Sequence, residues 1–534
     1  MPTAQSPIYI VASGDLRLSA NQTCWPAQEA MEKQIVAVFE REGIQVVRAH
    51  RYDPLQKHGF ISSQRMGMDV FASIPKNAPV IAAVAVWQYS YHLLAGLRDQ
   101  RGPILTIANW SGQWPGLVGL LNLNACLTKM SVKYSTIWSE HFDDDFFLTG
   151  IRQWIQTGSI AHDAAHVRDL NPALLPSSER LLGQSLAQTI RAKKAILGVF
   201  DEGCMGMYNA IIEDDLLNAC GIYKERFSQS ALVAAMRTVT EAEAQSARDW
   251  LDQRGMKFVI GSDEASELTA AQILVQLKMY IAAMRMADFF GCDAIGIQYQ
   301  QGLKDMVPAS DLAEGLFNNP ERPPVYHAIT GAELFAGKAL PHFNEVDEGA
   351  AVDALVTNRI WSALGLDPST TLHDIRWGRK YGNDFVWLFE ISGAAPASHF
   401  VNGYAGAVSE RQPPMYFPLG GGTLKGASKP GEIVWSRVFV MDGAIHADIG
   451  RGTVVRLPEA ELRERWDSTT PQWPMMNAVL HGVRRDQMMA RHKANHIQVV
   501  YAPDAATADK ALAVKAAMFA ELGIQVHLCG DVNL

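Results

Sequence analysis

The feature that most constrains the fold is a series of short apolar runs separated by amphipathic helical stretches in the first third of the chain. Such runs occupy residues 8–12, 80–86 and 103–108. A strand that is apolar on both faces is typical of a parallel sheet, because the helices of βαβ crossovers cover both sides of that sheet. The sequence therefore predicts a doubly wound α/β unit at the N-terminus.

The loops that follow these strands are the first places to expect a ligand. In open α/β sheets, ligands bind beyond the carboxyl ends of the strands. Two such loops cover residues 13–17 and 87–89. Arg17 and Trp87 lie on them.

The rest of the chain divides into a second α/β unit and a β-rich part. In the second unit, residues 194–200 and 294–298 are predicted strands, and 205–220 and 268–290 predicted helices. Beyond it, strands follow one another at close spacing, as in antiparallel sheets. We therefore predict an α/β protein with two doubly wound domains and a mostly β C-terminal domain that ends in a closing helix. The predicted domains are residues 1–168, 169–348 and 349–534.

Composition excludes several classes of protein. The chain has 47 basic and 56 acidic residues, a net charge of −9, so nucleic acid is not an expected partner. Two long uncharged stretches, residues 77–97 and 102–128, contain too many polar residues for membrane spans. No signal peptide is evident. Six cysteines without a CxxC pair fit a reducing compartment. We expect a cytoplasmic protein with no membrane partner.

Three residues could carry chemistry, although none has the local spacing of a metal motif. Glu345 lies in the acidic junction His342-Phe343-Asn344-Glu345-Val346-Asp347-Glu348, which could simply be solvated. Asp374 is flanked by apolar residues and could pair with Arg376. His496 begins an apolar strand, where a core or capping histidine is usual. From the residues alone, these structural interpretations stay open.

Several segments, in order, resemble the L-fucose isomerase family of metal-dependent aldose–ketose isomerases, over about residues 8 to 500. The segment Asp201-Glu202-Gly203-Cys204-Met205-Gly206-Met207 resembles the family's glycine–methionine turn. Ile297-Gln298-Tyr299-Gln300 resembles its strand with a sugar-binding glutamine. Glu345-Val346-Asp347, Asp374-Ile375-Arg376 and Ala494-Asn495-His496 resemble its Glu-x-Asp, Asp-Val-Arg and Ala-Asn-His motifs.

This resemblance implies a metal site and a reaction. Glu345, Asp374 and His496 are expected to bind one divalent cation, Mn²⁺ by family expectation, although another divalent cation would also suit two carboxylates and an imidazole. Glu345 and Asp374 are expected to be the acid/base pair that moves a proton between adjacent sugar carbons through an enediol. The implied partner is a small sugar resembling L-fucose or D-arabinose.

The resemblance also implies residues that bind the sugar and an oligomeric state. The expected substrate-binding residues are Arg17, Trp87, Gln298, Gln300, Ser392, Trp473 and Asn495. A homo-oligomer, a hexamer by family expectation, is implied, in which Trp87 reaches the sugar of a neighbouring subunit.

The sequence also departs from the family pattern near the expected sugar. Val346 and Glu348 differ from the residues expected beside Glu345, and Thr423 replaces an aromatic residue after the glycine-rich turn. Isomerase chemistry is therefore better supported than L-fucose itself as the substrate. Two alternatives remain at this point: a metal-dependent aldolase or epimerase, and a non-catalytic sugar-binding protein.

Overall fold

The computed structural model describes residues 7–533. The strands are β1 (Ile8–Val11), β2 (Val46–Arg48), β3 (Val80–Val84), β4 (Ile104–Asn109), β5 (Ser135–Ser139), β6 (Val167–Asp169), β7 (Ala195–Phe200), β8 (Ile222–Phe227), β9 (Lys257–Phe258), β10 (Ala294–Ile297), β11 (Thr370–Tyr381), β12 (Asp384–Glu390), β13 (Val408–Ser409), β14 (Gly431–Met441), β15 (Ala444–Val454), β16 (Met475–Leu480), β17 (His496–Ala502) and β18 (Gln525–Cys529).

The helices alternate with the strands in the N-terminal half and are fewer after it. They are α1 (Leu18–Arg41), α2 (Gln64–Ser73), α3 (Tyr91–Asp99), α4 (Gly116–Lys129), α5 (Asp145–Thr157), α6 (Ser177–Lys193), α7 (Asp214–Ala219), α8 (Gln229–Met236), α9 (Glu241–Gln253), α10 (Ala270–Phe289), α11 (Asp311–Phe317), α12 (Glu348–Ala363), α13 (Glu459–Asp467), α14 (Arg485–Arg491) and α15 (Ala505–Glu521). Within residues 7–533, no helix combines the length and apolar character needed to cross a membrane.

The N-terminal sheet is parallel, as its apolar runs predict, with the strand order β2–β1–β3–β4–β5. Every residue of β3 is buried, as expected for a strand covered on both faces. The order reverses between β1 and β3, so the loops after these two strands diverge at the carboxyl edge. The backbone N–H of Tyr89 donates to Gly14 O at 3.0 Å and joins the two loops.

The second sheet is smaller and contains the parallel strands β10, β7 and β8 in that order. The predicted helix over residues 205–220 is wrong, since only α7 is helical there beyond short turns. The backbone of Gly203 and Gly206 has φ of 82° and 73°, a left-handed conformation that a helix cannot continue through. A Cβ on Gly206 would lie 2.6 Å from Tyr89 Cα, so this turn packs closely against the loop after β3.

The C-terminal strands close into a ring, which confirms the predicted β-rich part. The order is β14–β17–β11–β12–β16–β15, and β14 also pairs with β15 to complete the circle. On its outside, β18 pairs with β15 and β6 pairs with β18. Helix α6 packs against α15. The segment from β6 to α6 thus belongs structurally with the C-terminal part, and the predicted domain boundaries stay a prediction.

Candidate active site

A pocket with about 440 Å³ of open space lies where the N-terminal loops meet the strand ring. Its lining draws on all three parts of the chain and combines charged groups with aromatic rings. The lining residues are Arg17, Trp87, Pro115, Met205, Gln300, Glu345, Asp374, Ser392, Tyr416, Phe417 and Trp473. Seven of them are residues that the sequence analysis singled out.

Strand register brings Asp374 and His496 together. Asp374 on β11 lies directly opposite His496 on β17, and directly opposite Glu390 on β12. Directly paired residues project to the same face of a sheet, so these three side chains form a row across the strands. His496 Nε2 lies 3.5 Å from Asp374 Oδ1.

Glu345 reaches the same point from a turn between β10 and α12. Its carboxylate Oε2 lies 3.8 Å from His496 Nε2. Glu345 and Val346 have φ of 56° and 53°, in the left-handed region that residues with side chains rarely adopt. The chain before them is held in place because the backbone N–H of Phe343 donates to Ile295 O at 3.0 Å. Such strained backbone clusters at functional sites.

Burial and like charge dominate the electrostatics of this group. Burial raises the pKa of Glu345 to about 8, and the neighbouring Asp374 contributes to that rise. Burial also raises the pKa of Asp374. For His496, burial acts to lower the pKa, but the hydrogen bond with Asp347 and the nearby carboxylates outweigh it, and the pKa is raised. The two carboxylates therefore lack a fixed positive partner that fully compensates them.

The donor set suits a divalent cation, since two carboxylates and an imidazole are ligands that hard to borderline metals accept. No Cys belongs to the set. Among residues 7–533, however, no group of three or more His, Cys, Asp or Glu side chains could hold an ion in its present arrangement. Both carboxylates point at His496 Nε2 itself. The metal-binding role of Glu345, Asp374 and His496 stays a prediction.

Asp347 supports the group from behind, a contact that the sequence analysis did not assign. Its Oδ2 accepts a hydrogen bond from His496 Nδ1 at 2.8 Å. The guanidinium of Arg437 binds both carboxylate oxygens, at 2.6 and 3.0 Å. Although burial acts in the opposite direction, Arg437 and His496 hold the pKa of Asp347 well below its usual range. The only sequence signal was its position two residues after Glu345.

The sequence left open whether Arg376 pairs with Asp374. In the structure, the guanidinium of Arg376 contacts other groups. Its Nη1 lies 3.7 Å from Glu390 Oε2, and its Nε donates to Gly112 O at 2.9 Å. A bulge between Ile375 and Trp377 places Arg376 out of register with β12, and bulges redirect side chains in this way. Arg376 thus links the strand ring to the loop after β4.

The expected sugar-binding residues fall into two groups. Those that line the pocket are Arg17, Trp87, Gln300, Ser392 and Trp473. Gln298 and Asn495 do not line it. Gln298 accepts the backbone N–H of Gln300 through its amide oxygen at 2.7 Å, and Asn495 Nδ2 lies 3.4 Å from Asp374 Oδ1. Both lie behind lining residues, and the sugar-binding role of all seven stays a prediction.

Arg17 is held rigidly at the pocket wall. Its Nε and Nη2 donate to the carboxylate of Asp15 at 2.8 and 2.6 Å, and its guanidinium lies 4.6 Å from the ring centre of Tyr416. Asp15 thus forms an ion pair with Arg17 and offsets its positive charge. The sequence analysis did not predict these roles of Asp15 and Tyr416. Asp15 lies in the loop after β1. Tyr416 is 399 residues beyond Arg17, and no local sequence pattern connects Tyr416 with Arg17.

The resemblance implies that Trp87 reaches the sugar of a neighbouring subunit, and that role stays a prediction. Trp87 lies at the carboxyl edge of the N-terminal sheet and lines the pocket of its own chain, so no neighbouring subunit is needed to bring it beside Glu345 and Asp374. Its indole nitrogen is buried and has no hydrogen-bond partner among residues 7–533. Buried indole N–H groups normally find an acceptor.

Residues 392–524 match the family model described as "L-fucose isomerase, C-terminal domain". The match covers less than half of the chain; it contains His496 and most of the strand ring, whereas Glu345 and Asp374 precede it. It supports the L-fucose isomerase family, the same family that the motifs resemble, and points to aldose–ketose isomerases as the class. No curated protein matches the chain.

Proposed function

We propose that this protein is a Mn²⁺-dependent isomerase that interconverts an aldose and a ketose resembling L-fucose or D-arabinose. The observation that carries the proposal is that Glu345 and Asp374 line one pocket and that His496 lies within 3.8 Å of both carboxylates. They come from separate parts of the chain, and the strand that bears His496 lies within the matched domain. Another divalent cation could take the place of Mn²⁺.

In this proposal the two carboxylates carry the proton. One takes it from the carbon beside the carbonyl and returns it to the neighbouring carbon, and the other donates to or accepts from the sugar oxygens. The bound cation supplies the charge that stabilises the enediolate oxygens. Comparing exchange of the carbon-bound proton with solvent in Glu345→Gln and Asp374→Asn identifies which carboxylate serves the carbons.

The walls of the pocket define how the remaining part of the sugar is held. Trp87, Tyr416, Phe417 and Trp473 supply aromatic surface, against which the C–H face of a sugar packs. Trp473 is fixed because its indole N–H donates to Gln412 Oε1 at 2.8 Å. Because Asp15 offsets the positive charge of Arg17, the wall favours hydroxyl groups over anionic groups. An uncharged sugar fits this lining.

The test is an isomerisation assay on a panel of aldoses and ketoses, with chelator-treated protein as the starting point. We expect little turnover after chelation and its return on addition of Mn²⁺, with D-arabinose and L-fucose among the best substrates. Retro-aldol fragments or an epimer in place of the isomeric sugar would instead identify an aldolase or epimerase. Sugar binding without any turnover would identify a binding protein.

The proposal extends to assembly and compartment. We propose a homo-oligomer, with a hexamer as the expectation, although the pocket of one chain already contains Trp87. Light scattering at assay concentration tests this directly, and full activity of a monomer would rule it out. A cytoplasmic location is proposed as well, because the five cysteine side chains that the structure describes are free and buried.

A further inference from the structure

The two ring nitrogens of His496 lie in different surroundings. Nδ1 lies 2.8 Å from Asp347 Oδ2, whereas Nε2 faces Asp374 Oδ1 at 3.5 Å and Glu345 Oε2 at 3.8 Å. The ring is 1% exposed, so water does not compete for either nitrogen. The orientation of the imidazole is therefore set by these three carboxylates.

Both carboxylate oxygens of Asp347 already accept hydrogen bonds from the guanidinium of Arg437, which can only donate. His496 Nδ1 must then carry the proton in the hydrogen bond with Asp347. A neutral imidazole carries one proton, which leaves Nε2 with a free lone pair directed at Glu345 and Asp374. This is the tautomer in which Nε2 can act as a metal ligand.

Asp347 is itself fixed at both oxygens. Its Oδ1 accepts the backbone N–H of Ala350 at 3.1 Å, so Asp347 caps the start of α12, and Arg437 binds both oxygens. The start of α12 packs tightly on β14, since a Cβ on Gly349 would lie 2.4 Å from Val438 O. The side chain is completely buried. Nothing in this environment leaves Asp347 room to turn away from His496.

We propose that Asp347, anchored by Arg437, is a positioning residue that keeps His496 in the tautomer with a proton on Nδ1 and Nε2 free. The inference rests on the proposed function, since it assigns Nε2 the task of binding the cation. It also explains the spacing of Glu345 and Asp347. One short turn carries both Glu345, a predicted ligand, and Asp347, the residue that orients the predicted ligand His496.

The test uses Asp347→Asn, which keeps the size of the side chain. Each oxygen of Asp347 accepts from Arg437, so either orientation of the new amide sets an N–H₂ group against a guanidinium donor. The matched control is Asp353→Asn. Asp353 lies on α12, the helix that Asp347 caps, and is completely buried. It forms an ion pair with Lys515 at 2.5 Å, and neither residue lines the pocket. Both variants lose a buried carboxylate, and only the first loses the contact with His496.

The first readout is the Kd for Mn²⁺, measured by the EPR signal of the free ion. We expect Asp347→Asn to weaken binding about 10- to 100-fold, the usual effect of removing a group that orients a histidine ligand. Asp353→Asn should leave the Kd within about twofold while lowering the stability. Wild-type affinity in folded Asp347→Asn protein overturns the inference. If Asp347→Asn does not fold, Arg437→Gln replaces it, because it removes the cation that anchors Asp347, and an unchanged Kd in that variant also overturns the inference.

The second readout separates this inference from the proposed function. In chelated protein with ¹⁵N-labelled histidine, at a pH where the ring is neutral, the His496 resonances are assigned by their loss in His496→Gln. We expect an unprotonated Nε2 in the wild type and a mixture of tautomers in Asp347→Asn. A wild type that binds no Mn²⁺ refutes the proposed function alone. A wild-type ring protonated on Nε2, or identical tautomers in the two proteins, refutes the role of Asp347.

Discussion

The substitution Glu345→Gln should make the chelated protein more stable, and increasingly so as the pH rises. The amide has nearly the shape of the protonated carboxyl, so the two proteins should be equally stable wherever Glu345 is protonated in both the folded and the unfolded chain. In the folded protein, burial raises the pKa of Glu345 from 4.5 to about 8. A difference between the proteins should thus appear only above the unfolded pKa.

The sign and size follow from proton linkage. Below pH 4.5 the folded and unfolded chains both hold this proton. Between about 4.5 and 8 the unfolded chain releases it and the folded chain keeps it, so the wild type loses stability as the pH rises. At about 1.4 kcal/mol for each tenfold change in proton affinity, the loss is at most about 5 kcal/mol and is complete above pH 8. Glu345→Gln lacks this loss.

Urea unfolding of both proteins in chelator, at several pH values from 4.5 to 9, measures the difference. Glu40→Gln, at an exposed position of α1, controls for the removal of a surface charge and should change nothing. Adding Mn²⁺ should restore the wild type and leave Glu345→Gln unaffected, since only the wild type keeps the predicted ligand. A stability difference that stays constant between pH 5 and pH 9 would falsify the assignment of a raised pKa to Glu345.

Three further outcomes are expected. Asp374→Asn should lower kcat in the isomerase assay by at least about 10²-fold, the scale of one general acid or base; a smaller loss would mean that Asp374 carries no proton. Lys515→Met should lower the free energy of unfolding, measured in urea, by about 3–5 kcal/mol, because it leaves the Asp353 carboxylate buried without its ion-pair partner. The Kd for Mn²⁺ should not change. Gly296→Ala should lower the affinity for Mn²⁺. A Cβ at this position would lie 2.3 Å from the ring of Phe343 and would displace the segment that leads to Glu345. Unchanged affinity would show that the turn tolerates this displacement.

Sequence patterns predicted the parts of this fold that repeat a simple physical rule. A strand buried on both faces must be apolar at every position, so the N-terminal parallel sheet could be predicted from residues 80–86. The glycine–methionine turn was misjudged, since residues 205–220 carry enough apolar side chains for a helix. Only the backbone of Gly206, forced into a left-handed conformation beside Tyr89, shows why the helix does not form.

The site divides in the same way. Resemblance alone indicated Glu345, Asp374 and His496, because no local spacing connects residues that meet through strand pairing. Asp347 and Tyr416 were not predicted, since their roles depend on distant partners: Arg437 is 90 residues from Asp347, and Arg17 is 399 residues from Tyr416. A short stretch of sequence does not indicate ion pairs between residues that are this far apart in the chain.

The way the three predicted ligands are held suggests which of them adjusts when a cation binds. Asp374 and His496 lie opposite each other on paired strands of the ring, and Asp347 fixes the ring of His496. Glu345 comes from a left-handed turn outside any strand. Since groups on strands move less than groups on turns, we expect Glu345 to be the predicted ligand that turns away from His496 Nε2 when a cation binds. The strained turn at residues 345 and 346 is then the adjustable part of an otherwise rigid site.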